Sequence, residues 1–179
     1  MSRLYGERIV LREYQDADLE YMKNWVNDPS ITANLSDNFL YPHSSYATES
    51  FFKTMVEGTS ANKGFVIGDA ASLEYIGQID LYKIDWKNRF ASLAIVIGRK
   101  ECLGKGYGSE AIRLLQRFAF EELNLNRLEL EVYEYNLAAH RCYLKCGFQE
   151  EGRYRKKIYK NGTYRDSLVM SILKNEYEK

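Results

Sequence analysis

The polar and apolar positions change period several times along the chain, and each change marks an element. Residues 8–14 (RIVLREY) alternate and carry β-branched side chains, which predicts a strand. Leu19, Met22 and Val26 then share one helical face, with Asp16 placed to cap the helix and Asp28-Pro29 to end it. A second helix is predicted over 47–58 (ATESFFKTMVEG), stopped by Gly58. Strands follow at 64–69, 75–85 and 89–98, the last two joined by a turn at DWKN. Ala111, Leu114, Leu115 and Phe118 recur at helical spacing within a helix over 108–123. A strand at 127–133 comes next, then a helix over 136–148 with Asn136 at its cap and Gly147 at its stop. Two strands around Asn161-Gly162, a strong hairpin signal, complete the pattern.

These elements predict an α+β fold with a central, mixed, mostly antiparallel sheet and helices on both faces. Residues 93–98 are apolar on both faces, which puts that strand at the centre of the sheet. Ligands of sheet proteins gather at such strand ends. The next strand and the Asn136 helix repeat the arrangement, so a cofactor lying across two neighbouring strand ends would touch both.

Length and composition narrow the possibilities. The 179 residues suit a single domain, 1–179, with a well-developed core. Two prolines and no Gly/Ser tract leave no linker to divide it. Lys+Arg and Asp+Glu both number 25, so a general nucleic-acid or anionic-membrane binder is not expected. No apolar run approaches the roughly eighteen residues that span a bilayer, and MSRLYGERIVLRE lacks a signal-peptide core. A soluble, cytoplasmic protein is expected. Cys102, Cys142 and Cys146 form no disulfide framework. Cys142 and Cys146 stand near His140, but only His43 remains as another histidine and there is no C-x-x-C pair, so no metal is expected.

Candidate chemistry begins at residues 103–120, LGKGYGSEAIRLLQRFAF. Gly104, Gly106 and Gly108 alternate with Lys105 and Tyr107 at the start of a helix, followed by Ser109 and Glu110. A glycine turn exposes backbone N–H groups, and the first helical turn leaves more of them without partners. With the positive end of the helix dipole they form a site suited to phosphate. The same glycines would also fit a loop that merely needs positive φ. A P-loop is excluded because five residues separate Gly98 from Gly104-Lys105, and Gly106 stands where a hydroxyl is required. The G-x-G-x-x-G spacing of dinucleotide sites is also missing.

These residues resemble the GNAT superfamily of acetyl-CoA-dependent N-acetyltransferases, from about residue 8 to residue 173. In that family a Gln/Arg-x-x-Gly-x-Gly/Ala loop holds the coenzyme pyrophosphate through its backbone. Leu103-Gly104-Lys105-Gly106-Tyr107-Gly108 is similar, with Leu103 in the Gln/Arg place. Asn136, Ala139, Tyr143 and Gly147-Phe148 resemble the family's N-x-x-A-x-x-x-Y-x-x-x-G-F. Within the superfamily the opening RIVLREYQDADLEYMKNWVNDPSI and the closing KNGTYRDSLVMSIL resemble ribosomal-protein N-terminal acetyltransferases and spermidine acetyltransferases.

The resemblance implies a GNAT-like domain that moves an acetyl group from acetyl-CoA to a primary amine by direct attack. It implies acetyl-CoA contacts from Ile95, Val96, Ile97, Leu103, Gly104, Lys105, Gly106, Tyr107, Gly108, Ser109, Asn136, Ala139 and Tyr143. Tyr143 matches the position of the general acid. Expected partners are a small-molecule amine such as a polyamine, or a peptide N-terminus, and a second copy of the chain. An amino sugar is an alternative acceptor, and a non-catalytic acyl-CoA sensor an alternative role. Spermidine-type relatives often carry Glu where Ser92 stands, so the base is open between Asp80 and a water chain ending at Glu134, both carboxylates being expected to be solvent-exposed.

Overall fold

The computed structural model describes residues 3–177, so both ends of the predicted 1–179 domain lie outside the described residues. Eight strands form one sheet: β1 (Leu4–Tyr5), β2 (Ile9–Arg12), β3 (Lys63–Asp69), β4 (Tyr75–Asp85), β5 (Phe90–Ile97), β6 (Arg127–Tyr133), β7 (Gln149–Lys160) and β8 (Thr163–Leu173). Their spatial order is β1-β2-β3-β4-β5-β6-β8-β7. Every neighbouring pair is antiparallel except β5–β6, which is parallel. The central placement of β5 and the helices on both faces follow the pattern of the sequence.

Local chemistry fixes the connections. Asn161 and Gly162 take φ of 51° and 76°, the left-handed pair that a two-residue hairpin between β7 and β8 demands. Asp85 closes the β4–β5 turn by accepting hydrogen bonds from the Asn88 N–H and side-chain amide, both at 2.8 Å.

The helices are α1 (Asp18–Trp25), α2 (Pro29–Thr32), α3 (Ser45–Val56), α4 (Tyr107–Arg117), α5 (Leu137–Lys145) and α6 (Lys174–Tyr177). Asp16 does not cap α1. Asp18 does the local work instead, accepting the Gln15 N–H at 2.7 Å, because its carboxylate is drawn inward by Arg12. Asp28 not only ends α1 but caps the unforeseen α2, accepting the Ser30 N–H at 2.9 Å. The helix expected over 108–123 is α for eleven residues and then makes one π-turn, Phe118–Glu122. That extra residue keeps Phe118, Ala119 and Phe120 all buried.

The sheet separates two cores. On one face α4 and α5 pack Ala111, Ile112, Leu115, Tyr143 and Phe148 against Ile79, Leu81, Ala91 and Leu93. On the other, α1 and α3 bring Met22, Trp25 and Phe52 against Tyr14, Val66 and Tyr75.

Candidate active site

The parallel pairing of β5 with β6 lasts for only three residues, Phe90↔Arg127, Ala91↔Leu128 and Ser92↔Glu129. Beyond Ser92 the strands part, while β5 continues along β4 to Gly77↔Ile97. A central strand would ordinarily be buried throughout, yet Ala94 is exposed and Ile95, Val96 and Ile97 are half-buried. The backbone amides on that side of β5 therefore border an open cleft, where no β6 residue takes them up.

β5 delivers the chain to the glycine loop. A 3₁₀ turn (Lys100–Cys102) leads to Leu103, whose side chain is 46% exposed. Gly104 and Gly106 both take left-handed φ, 71° and 85°. Gly106 immediately precedes α4, and no side chain among the described residues caps that helix, so its first N–H groups stay available. Gly108 differs. It is helical, and a Cβ there would make only ordinary contacts, 3.9 Å from Ile95 Cδ1 and 4.0 Å from Cys142 Sγ, so neither space nor φ requires glycine at this position. Of the alternating glycines, Gly104 and Gly106 thus supply two left-handed backbone turns that a side chain would strain.

The loop is clamped from the N-terminal strand by Arg8, a residue that sequence reasoning gave no role. Its Nη1 donates to the Lys105 carbonyl at 2.8 Å, and its guanidinium lies 4.9 Å from the Tyr107 ring centroid. Its Nε and backbone N–H donate to Glu110 at 3.0 and 2.8 Å. Burial works to raise the Glu110 pKa, but these hydrogen bonds win and hold it below the usual carboxylate range. Arg8 and Glu110 are 102 positions apart, so no local signal announces the pair.

Helix α5 closes the cleft. Asn136 caps it as expected, its Oδ1 accepting the Ala139 N–H at 3.3 Å. Ala139 and Tyr143 follow at spacings of three and four, on one helical face. Tyr143 is 8% exposed, its ring 5.8 Å from Phe148, and burial raises its pKa well above the ordinary phenol value. Ser109 turns its hydroxyl inward, 3.2 Å from Cys142 Sγ, so only its backbone faces the loop. Hydrogen bonding from Cys146 lowers the Cys142 pKa and raises that of Cys146. Among the described residues no group of three or more His, Cys, Asp or Glu is placed to hold a metal, and all three cysteines are free.

The two candidate bases behave differently from each other and from expectation. Glu134 is not free in solvent; it lies 3.4 Å from Arg153 and 4.0 Å from Arg165. Asp80 is half-buried rather than exposed, with its Oδ1 removed from solvent. Its Oδ1 has no hydrogen-bond partner among the described residues, and desolvation pushes its pKa up to about 7. It pairs across the sheet with Ala94 on β5, on the face covered by α1 and α3. Ser92 is buried beside Tyr82, its cross-strand partner on β4.

The geometry gathers the end of β5, the glycine loop and the Asn136–Tyr143 face of α5 around one cleft. Known proteins share that build. The model of the acetyltransferase (GNAT) domain matches residues 8–149. A spermidine N(1)-acetyltransferase of Escherichia coli is 28% identical over 94% of this chain and 88% of its own length. A putative ribosomal N-acetyltransferase of Bacillus subtilis, YdaF, is 29% identical over 97% of this chain and 95% of its own. A spermidine N-acetyltransferase of Vibrio cholerae, solved with CoA and spermine, superposes with a TM-score of 0.84 at 28% identity, covering 97% of this chain and 100% of that one. With an open cleft beside β5, a left-handed glycine loop at a helix start and a family model spanning most of its length, the chain belongs to the GNAT family of acetyl-CoA-dependent N-acetyltransferases.

Proposed function

We propose that the cleft binds acetyl-CoA with its pyrophosphate on the backbone of residues 104–109 and its thioester beside Ile95, Val96 and Ile97, and that the acceptor is a polyamine-type primary alkylamine. The observation that carries this is the parting of β5 from β6 beyond Ser92, directly upstream of an uncapped helix start with two left-handed glycines. Phosphate oxygens accept from unpaired N–H groups and are attracted by the helix dipole. The positive charge of Lys105 beside the loop adds to that attraction. Leu103 lies at the loop's margin, Tyr107 is held by Arg8, and Asn136 and Ala139 border the pantetheine path. The likeness to spermidine acetyltransferases, one of them solved with CoA and spermine, supports the acceptor class. Three free cysteines support a reducing, cytoplasmic setting.

In this reading the neutral amine attacks the thioester carbonyl, whose oxygen takes a hydrogen bond from the unpaired β5 backbone. Tyr143 meets the departing sulfur. A phenol with a raised pKa does not surrender its proton fully to a thiolate of pKa about 8.5, but it donates a strong hydrogen bond to it.

Acetyl-CoA incubated with spermidine, peptides of different N-termini and amino sugars, with released thiol as the readout, tests the reaction. Spermidine is expected to be turned over best. Tyr143→Phe should bind acetyl-CoA with unchanged affinity in calorimetry while kcat falls about 10²–10⁴-fold at saturating acetyl-CoA. Near wild-type kcat in the Phe variant would show that Tyr143 serves packing alone.

A further inference from the structure

The face of the sheet under α1 and α3 holds two buried oxygens that the described residues leave unpartnered, Asp80 Oδ1 and Tyr14 Oη. They belong to one neighbourhood. Tyr14 meets Phe52 of α3 edge-on at 6.1 Å, Met55 packs against the same cluster, and burial first and then the Asp80 charge raise the Tyr14 phenol. A Cβ on Gly64 would collide with Asp80 Oδ1 and with Met55 Cε, so the bare glycine is what leaves room for the carboxylate beneath α3. No cation pairs with Asp80 among the described residues. The one arginine buried on this face, Arg12, is taken up by Asp18 through two bonds of 2.7 and 2.8 Å and by the Leu73 carbonyl.

A buried polar atom without a partner is costly, and such atoms persist where a ligand completes them. The carboxylate accepts only, and the phenol oxygen can accept as well as donate, so one donor group can serve both. A primary ammonium has three donors and no acceptor, and it brings the charge a carboxylate lacks here. The position fits as well. Asp80 stands opposite Ala94, the exposed residue just past the point where β5 leaves β6. The covering group on the α3 side is Met55, a flexible, half-buried side chain that can move aside.

We propose that Asp80 is the catalytic group that receives the acceptor ammonium and takes its proton, with the Tyr14 hydroxyl as the second oxygen of the subsite. This rests on the acetyl-transfer reading above and deepens it. The step balances. R–NH3+ passes one proton to the Asp80 carboxylate, the neutral nitrogen forms a bond to the thioester carbon, and the C–S bond breaks. The second nitrogen proton is lost as the amide forms, the departing sulfur gains one, and Asp80 returns its proton to water. A carboxyl raised by burial to about 7 is matched to neutral pH, which an ordinary surface aspartate is not. The groups facing it are neutral in this range: Tyr14 from the loop after β2, Tyr75 and Gln78 from its own strand, Met55 and Phe52 from α3, Ser92 and Ala94 from β5. The Arg12–Asp18 pair at α1 carries no net charge.

Asp80→Asn tests this in the full-length protein. The amide keeps the shape and loses the base. With spermidine at saturating acetyl-CoA, kcat/KM is expected to fall at least about 100-fold, with unchanged acetyl-CoA affinity. The acid limb of the pH profile, near 7 in the wild type, should move toward the free amine's own value of about 10. Activity within threefold of wild type with the same acid limb overturns the proposal. If the wild type acetylates no amine, the reading of the reaction fails, and calorimetry of spermidine binding to the CoA-loaded protein then decides the subsite. Binding at least tenfold weaker in Asp80→Asn supports it, and equal binding, or none by either, overturns it. Should the amide variant not fold, Asp80→Ser takes its place with the same outcomes.

Discussion

The two faces of the sheet are built on different terms. Under α4 and α5 the core is nearly all aliphatic and aromatic carbon, with Ile79, Ala91, Ile112, Leu115 and Phe120 fully removed from solvent. Under α1 and α3 the core is smaller and threaded with polar groups. Trp25 Nε1 donates to Tyr75 Oη at 2.9 Å, and Tyr75 in turn donates to Gln78 Oε1 at 3.2 Å. Arg12 and Asp18, each 2% exposed, form a bidentate pair. One face supplies hydrophobic stability that holds the glycine loop in place. The other spends part of its stability on polar groups, some satisfied internally and some, Asp80 and Tyr14, left open. The difference separates scaffold from acceptor chemistry.

The contrast is open to direct attack. Arg12→Met strands the Asp18 carboxylate in the smaller core and should lower the unfolding free energy by about 3–5 kcal/mol in urea titration, while the double replacement with Asp18→Leu recovers most of the loss. A single variant within about 1 kcal/mol of wild type would show that water reaches the pair. On the opposite face, Leu115→Ala should cost about 2–5 kcal/mol through transfer and cavity terms. Its KM for acetyl-CoA should not change, because Leu115 lies two turns beyond the loop; a raised KM would tie core packing to the loop. The smallest effect is on pH. The folded-state pKa of Asp80 lies above the ordinary value of about 3.9, so the fold holds that proton more tightly than the unfolded chain does. The stability it contributes is complete below about pH 4 and is lost as pH rises toward about 7. The unfolding free energy of Asp80→Asn relative to wild type should therefore rise by about 1–2 kcal/mol from pH 5.5 to 7.5, and a flat difference would mean that the carboxyl is solvated.

Much of the fold was legible because local chemistry dictated it. Asn161-Gly162 has one easy conformation between strands, the periodic stripe Ala111–Phe118 has one face to bury, and Asn136 has one N–H to cap. The glycine loop was legible as a turn at a helix start, with Gly104 and Gly106 in left-handed φ and Gly108 inside the first helical turn. What escaped the sequence was set by distant partners. β1 is two residues long, too short for any period to register. Asp16 has the right chemistry and place for a cap, but the turn is instead closed by Asp18, which Arg12 draws inward. Arg8 and Glu110 meet through the tertiary fold. Asp80 sits in an alternating stretch where a polar residue should face water, and only the placement of α3 over Gly64 removes its Oδ1 from solvent.

The three-pair seam between β5 and β6 also has a mechanical meaning. As a solid body the sheet is two plates, each contiguous in sequence: residues 4–97 make one, and residues 127–173 the other. Within each plate antiparallel ladders bind the strands along most of their length, whereas backbone pairing across the seam stops at Ser92. The deformation that breaks the fewest hydrogen bonds is therefore a tilt of one plate against the other about Phe90–Ser92, with α4 as the spanning strut. Such a tilt changes the width of the cleft without rebuilding either wall.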